Sequence, residues 1–358
     1  MVALPFLHDS AICSGNRAPR ARKLFVVLVL GVLGISVLAL GTGASGVAVG
    51  ELILNLLRGA DVALRDRVVL IDIRLPRLAM GLLVGAALAV SGALMQGLFR
   101  NPLADPGLVG VGAGAGLGAV LAIVLGGLLP VGVARLIGLH LVPFAAFLGG
   151  WGATILLYAL ASRQGRTSVA TMLLAGIALG ALAGAATGIL IYLADDRQLR
   201  DMTFWGMGSL GGASWQKIAV AAPLILPVLV LSPMLARGLN LLALGEAAAL
   251  HAGVEVERIK TLTILSVAAA TGAAVAIAGG IGFIGIVVPH LLRLAVGPDH
   301  RFLLPNAALL GAILLVGADV IARLVVVPAE LPIGIVTAVL GAPVFLYILL
   351  RSRGVLDL

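Results

Sequence analysis

Apolar runs of about 20 residues recur along this chain from one end to the other, and that recurrence constrains the fold more than any single motif. A helix rises about 1.5 Å per residue, so roughly 20 residues cross a hydrocarbon core of about 30 Å with every backbone N–H and C=O paired internally. The runs fall at 24–44, 78–98, 107–127, 141–162, 171–193, 216–236, 261–278, 281–297, 303–322 and 332–350, with short polar interruptions between them. None alternates with the period of two that a membrane barrel strand requires. The expectation is therefore an all-α integral membrane protein with ten transmembrane helices. Composition agrees: 11% of residues are charged and 61% are apolar, where a soluble domain has about 25% and 45–50%.

Residues 1–23 read as a polar cytoplasmic tail, and 24–358 as a single transmembrane domain, since no linker or long polar segment divides them. Arg17, Arg20, Arg22 and Lys23 precede the first apolar run, which is also how a secretory signal peptide begins. The run from Leu24 to Leu40 exceeds the roughly 7–15 apolar residues usual for such peptides and is read as the first anchor. With the tail inside, most Lys and Arg fall on the cytoplasmic side and both termini are cytoplasmic. Arg74 and Arg77 then lie outside, in the segment 45–77, against the usual bias. The net charge of +8 is divided among short loops and points to no nucleic acid partner. The lone cysteine, Cys13, can form no internal disulfide.

Absent chemistry narrows the function. Asp319, near the outer end of the ninth run, is the main ionisable residue within the spans, whereas ion-coupled carriers and channels place carboxylates, histidines or polar rings at membrane depth. The five histidines are scattered and no catalytic motif appears. Any transporter built this way must draw energy from a partner, although an ion-coupled secondary carrier remains the alternative of another class. An internal echo supports transport. GAALAVSG at 85–92 and GAAVAIAG at 272–279 fall on the second and seventh runs, which cross in opposite directions, as in inverted repeats. Gly176, Gly180, Gly184 and Gly188 in the fifth run, and Gly110, Gly114 and Gly118 in the third, are read as helix-packing seams.

The stretch 237–260 is the longest inner loop. Glycines at 238, 245 and 253 divide it into short helical pieces, with Glu246 opening one of them where the helix dipole favours an acid. Leu241, Leu242, Leu244 and Leu250 suggest an apolar face that a partner covers.

Five ordered motifs carry a resemblance: RLPR at 74–77, SGALMQGLFRNPLADPGLVGVGAGAG at 91–116, LNLLALGEAAALHAGV at 239–254, GFIGIVVPHLLR at 282–293 and AELPIGIVTAVLGAPVFLYILL at 329–350. Together they resemble the permease family of ABC importers for cobalamin, haem and ferric siderophores, over about residues 24–353. The resemblance implies ten helices per subunit in a homodimer in the bacterial inner membrane, with two ATPase subunits inside and a periplasmic binding protein outside. ATP and Mg would belong to the ATPase partner, and this chain would hold no cofactor and catalyse nothing itself. It further implies that Arg74, Arg77 and Arg323 receive glutamates of the binding protein, and that Asn101, Leu103, Ser168 and Val169 form a cytoplasmic gate. The segment about 238–258, with Leu241, Leu244, Gly245, Glu246, Leu250 and Gly253, would be the coupling loop seated on the ATPase. Haem is the expected cargo, with cobalamin or a ferric siderophore as alternatives.

Overall fold

The structure is a computed structural model that describes residues 17–43, 58, 63–130, 132, 138–163, 166–327 and 329–356. The first part of the polar tail with Cys13, and residues 45–62 of the expected external segment apart from 58, lie outside the described residues. All ten expected spans are helices, here α1 Ala18–Gly41, α2 Leu75–Leu98, α3 Val111–Leu125, α4 Leu141–Ala161, α5 Val169–Leu193, α6 Trp215–Ala243, α7 Val256–Ala278, α8 Ile284–Val296, α9 His300–Val325 and α10 Ile333–Leu356. Among the described residues, eight helices are long and apolar enough to cross a membrane, and the chain is a multi-pass membrane protein.

Three boundaries differ from expectation for identifiable reasons. The second span is helical from Leu64, through a π-helical turn at Val69–Arg74, because Pro76 cannot donate to a carbonyl one turn back and the wider turn absorbs the clash. The eighth span is shorter than expected. Residues 279–283 are not helical and Phe283 has φ +68°, so α8 runs only 13 residues, about 20 Å, less than a full hydrocarbon thickness. Finally, α6 continues to Ala243 and contains Gly238, which packs against Ile259 instead of ending a helix. The expected inner loop therefore starts seven residues late, at Leu244.

α2 is the central post, buried along nearly its whole length, with α7 as its most enclosed neighbour. Its glycines explain how. A Cβ at Gly85 would overlap the Gly311 carbonyl of α9, and one at Gly92 would overlap the Gly285 carbonyl of α8. Lipid supplies no hydrophobic drive between helices, so backbone-to-backbone approach replaces it. α2 and α9 run antiparallel: Arg77 meets Asp319 at one end, Gly85 meets Gly311 midway, and Gly97 meets His300 at the other. In α3, Gly114 and Gly118 likewise sit against the carbonyls of Gly149 and Ala145 in α4, so that seam is real. The α5 stripe is different. Gly176 is buried, but Gly180, Gly184 and Gly188 face open space within this chain.

Replacing Gly92 by Ala forces two backbones apart and should lower stability in detergent by at least about 3 kcal/mol, read by thermal unfolding. Gly152→Ala, where an added Cβ meets nothing within 4 Å, should leave the melting temperature unchanged or slightly raised.

Candidate functional site

The antiparallel pairing of α2 and α9 gives the bundle two distinct polar ends. At the first, Arg77 in the opening turn of α2 forks onto two carboxylates. Its Nε and Nη2 donate to Asp319 at 2.8–3.2 Å, and Nη1 and Nη2 donate to Glu330 at 2.8 and 2.9 Å. Arg323, one turn beyond Asp319 on α9, sits 3.1 Å from the same carboxylate and donates to the Thr42 carbonyl at 2.9 Å. Arg74 is buried and donates to the Leu40 carbonyl at the end of α1. The three arginines expected at an external face therefore do converge, and they clamp α1, α2, α9 and the strand of chain entering α10.

Exposure separates the two acids. The Asp319 side chain is 5% exposed, between two guanidiniums, whereas Glu330 is 43% exposed. Hydrogen bonds from Arg77 hold the Glu330 carboxyl below the ordinary glutamate range, partial burial opposing them. Asp319 is thus a counter-ion shared by Arg77 and Arg323 near the end of α9.

At the opposite end, each expected gate residue has a local conformational task. Asn101 accepts from the Leu103 N–H at 2.9 Å, an Asx turn that stops α2 and leaves both residues exposed. Ser168 caps α5, accepting from the Thr171 N–H at 3.2 Å, and Val169 packs against the core. One member of each pair lines a cavity, and the two cavities are separate. Asn101 shares one of about 580 Å3 with Leu244 and Asn240, and Ser168 shares one of about 950 Å3 with Glu246 and Leu250.

The segment expected to couple to an ATPase contains a six-residue helix, Glu246–His251, set off from α6 by Gly245 at φ +117° and from α7 by Gly253 at φ +77°. Only glycine holds the first of these angles without strain, so the helix direction changes sharply there. Leu244 and Leu250 are exposed, while Leu241 packs on the core and Leu242 is buried within it. The apolar face thus consists of two leucines, not four. Sequence reasoning passed over a polar layer behind this segment. Asn240 bridges Asp299 and the His300 backbone, Arg293 donates to Gln96, and Lys260 lies buried among acceptors. Burial would raise the Asp299 carboxyl, but hydrogen bonds from Arg301 and Asn240 outweigh it and hold it at about 2. Of these links, only the Asp319–Arg323 spacing of four on one helix was visible in the sequence.

Two ordered polar ends joined by a weakly polar bundle suit conduction between partners, and comparison with known proteins agrees. The FecCD transport family matches residues 24–351. The chain belongs to that family. The hemin transport system permease protein HmuU of Yersinia pestis is 47% identical over 328 residues, covering 91% of this chain and 96% of that protein. A cobalamin import system permease, BtuC of Halobacterium salinarum, is 45% identical over 81% of this chain and 75% of its own. The vitamin B12 permease BtuC of Klebsiella pneumoniae is 48% identical over 79% and 82%. Among solved structures, an inward-facing conformation of a metal-chelate type ABC transporter superposes with a TM-score of 0.81 at 32% identity, covering 92% of this chain and 99% of that one. This FecCD member is accordingly an ABC importer permease, a transport subunit and not an enzyme.

Asp319→Asn strands two guanidiniums at a buried site and should cost roughly 3–5 kcal/mol in thermal unfolding. Glu330→Gln, at a half-exposed pair, should cost less than about 1 kcal/mol. Because the Glu330 pKa is lowered on folding, its contribution is present above the ordinary glutamate value of about 4.3 and is lost as pH falls through the lowered one. The difference between wild type and Glu330→Gln should therefore persist at neutral pH and vanish only in acid below about pH 4.

Proposed function

We propose that this chain is the membrane-spanning half of a bacterial haem importer. It pairs with a second copy of itself in the inner membrane, both termini cytoplasmic. A periplasmic binding protein docks on the end carrying Arg74, Arg77 and Arg323, and two ATPase subunits engage the end carrying Glu246–His251. Nucleotide and Mg belong to those subunits. The observation that carries haem over its alternatives is extent: the hemin permease aligns over 91% of this chain and 96% of its own, whereas the cobalamin permeases align over 78–81% of this chain. Cobalamin is the second reading, favoured by identities as high as 48%.

Each part has a physical basis. Guanidiniums make forked, charge-assisted bonds to carboxylates, so a cluster of three arginines suits an acidic surface and sets its register. Here the arginines are already ordered by internal acceptors, so docking loses little side-chain entropy. Exposed Leu244 and Leu250 on a rigidly angled six-residue helix offer the ATPase a small apolar knob. The exposed face of α5, with Gly180, Gly184 and Gly188 open, suits close approach of the second copy. Asn101, Leu103, Ser168 and Val169 stand at the cytoplasmic end of the path as its gate. Of three side chains that could touch haem iron, Met95 is buried in the core, Met207 is half-buried and Tyr192 is almost fully exposed. A conduit without strong ligands releases its cargo readily.

Vesicles containing this chain, its ATPase and the loaded binding protein should accumulate haem only with internal ATP, and haem faster than cobalamin or a ferric siderophore. Faster cobalamin uptake would replace haem as cargo, and uptake driven by an ion gradient without ATP would overturn the importer reading. Arg74→Glu should lower the ratio of binding-protein-stimulated to unstimulated ATP hydrolysis by about tenfold, an unchanged ratio removing Arg74 from the docking face.

A further inference from the structure

Lys260, in the second turn of α7, is 3% exposed, and its ammonium has acceptors on three separate pieces of chain. Nζ lies 3.0 Å from Glu246 Oε1 on the coupling helix and 3.0 Å from Glu257 Oε1 on α7, and donates to the Thr167 carbonyl at 2.9 Å. An ammonium has three donors, and here all three are matched. Glu257 closes the circuit, its other oxygen accepting from the Thr167 N–H at 2.8 Å. Thr167 ends a two-stranded hairpin in which Ser162 pairs with Thr167 and Arg163 with Arg166, and Ser168, the next residue, caps α5. The Ser168 N–H in turn donates to the Ala161 carbonyl at the end of α4.

We propose that Lys260 is the positioning residue that couples the helix Glu246–His251 to the Thr167–Ser168 start of α5, so that displacement of one by the ATPase moves the other. This rests on the importer reading above. The physical reason is the cost of separating buried partners. An ammonium enclosed at 3% exposure cannot leave Glu246 or the Thr167 carbonyl without leaving a buried donor unmatched, so the three elements shift together. Ala249 packs the same helix on the core, and Lys260 adds the polar link from that helix to Thr167. Glu246 is 45% exposed and is held toward the bundle by Lys260, while Leu250 on the same helix faces outward. Lysine is apt because a flexible stem with three rotatable donors keeps its bonds as the acceptors change angle, whereas a planar fork demands fixed geometry.

The test is the number of cargo molecules imported per ATP, measured in vesicles with the ATPase and binding protein, using whichever of haem or cobalamin the wild-type complex accumulates. Lys260→Met should still co-purify with the ATPase and hydrolyse ATP, but its import per ATP should fall about tenfold, and import per ATP should fall less for Glu246→Gln. Lys260→Arg should restore part of the ratio. Glu246→Gln alters only a half-exposed pair, so it reports on coupling even if Lys260→Met does not fold. Transport and hydrolysis falling in parallel, or an unaltered ratio in Glu246→Gln and Lys260→Met, would overturn the role of Lys260 while leaving the importer reading intact. Failure of the wild-type complex to import under ATP would instead remove the importer reading itself, and this proposal with it.

Discussion

Backbone contact at α2 places everything else in this protein. At Gly85 and Gly92 the helix has no room for a side chain against α9 and α8, and in lipid that intimacy takes the place of hydrophobic collapse. Once α2 and α9 lie antiparallel at that distance, Arg77 must fall beside Asp319 and Gly97 beside His300. The polar chemistry of both ends follows from one tight interface in the middle.

The two ends use polar groups differently. Around Asp319 the arginines are forked, buried and shared among α1, α2, α9 and the entry to α10, an arrangement that resists deformation. The opposite end is built in layers. A short helix hinged by glycines stands on a buried lysine, which stands on a hairpin that caps α5. One end suits a surface that receives a partner in fixed register. The other suits a surface that is moved by one.

Between them the bundle holds few strongly ligating groups, and α8 is too short to cross the hydrocarbon alone. Its turn at residues 279–283 is partly sheltered, with Gly279 buried, and Gly280, Ile281 and Gly282 line a cavity, where irregular backbone is tolerated. The face of α5 carrying Gly180, Gly184 and Gly188 is open within this chain, which is where the proposed second copy would pack. The family's transport role is compatible with the proposed passage between a docking end and an energy-coupled end.

Membrane class, helix number and family were legible in the sequence, because twenty-residue apolar runs have few alternatives in lipid and because RLPR, NPLADP and the GLN-to-HAGV stretch sit at ordered positions. So was the spacing of Asp319 and Arg323, one turn apart on a single helix. What the tertiary structure alone decided was which groups meet across the chain. That Arg77 is held by Asp319 and Glu330, that Gly238 packs while Gly245 turns, and that Lys260 joins Glu246 to Thr167 depend on helix rotation and register. Those are set by glycine contacts between segments far apart in sequence, and no local periodicity records them.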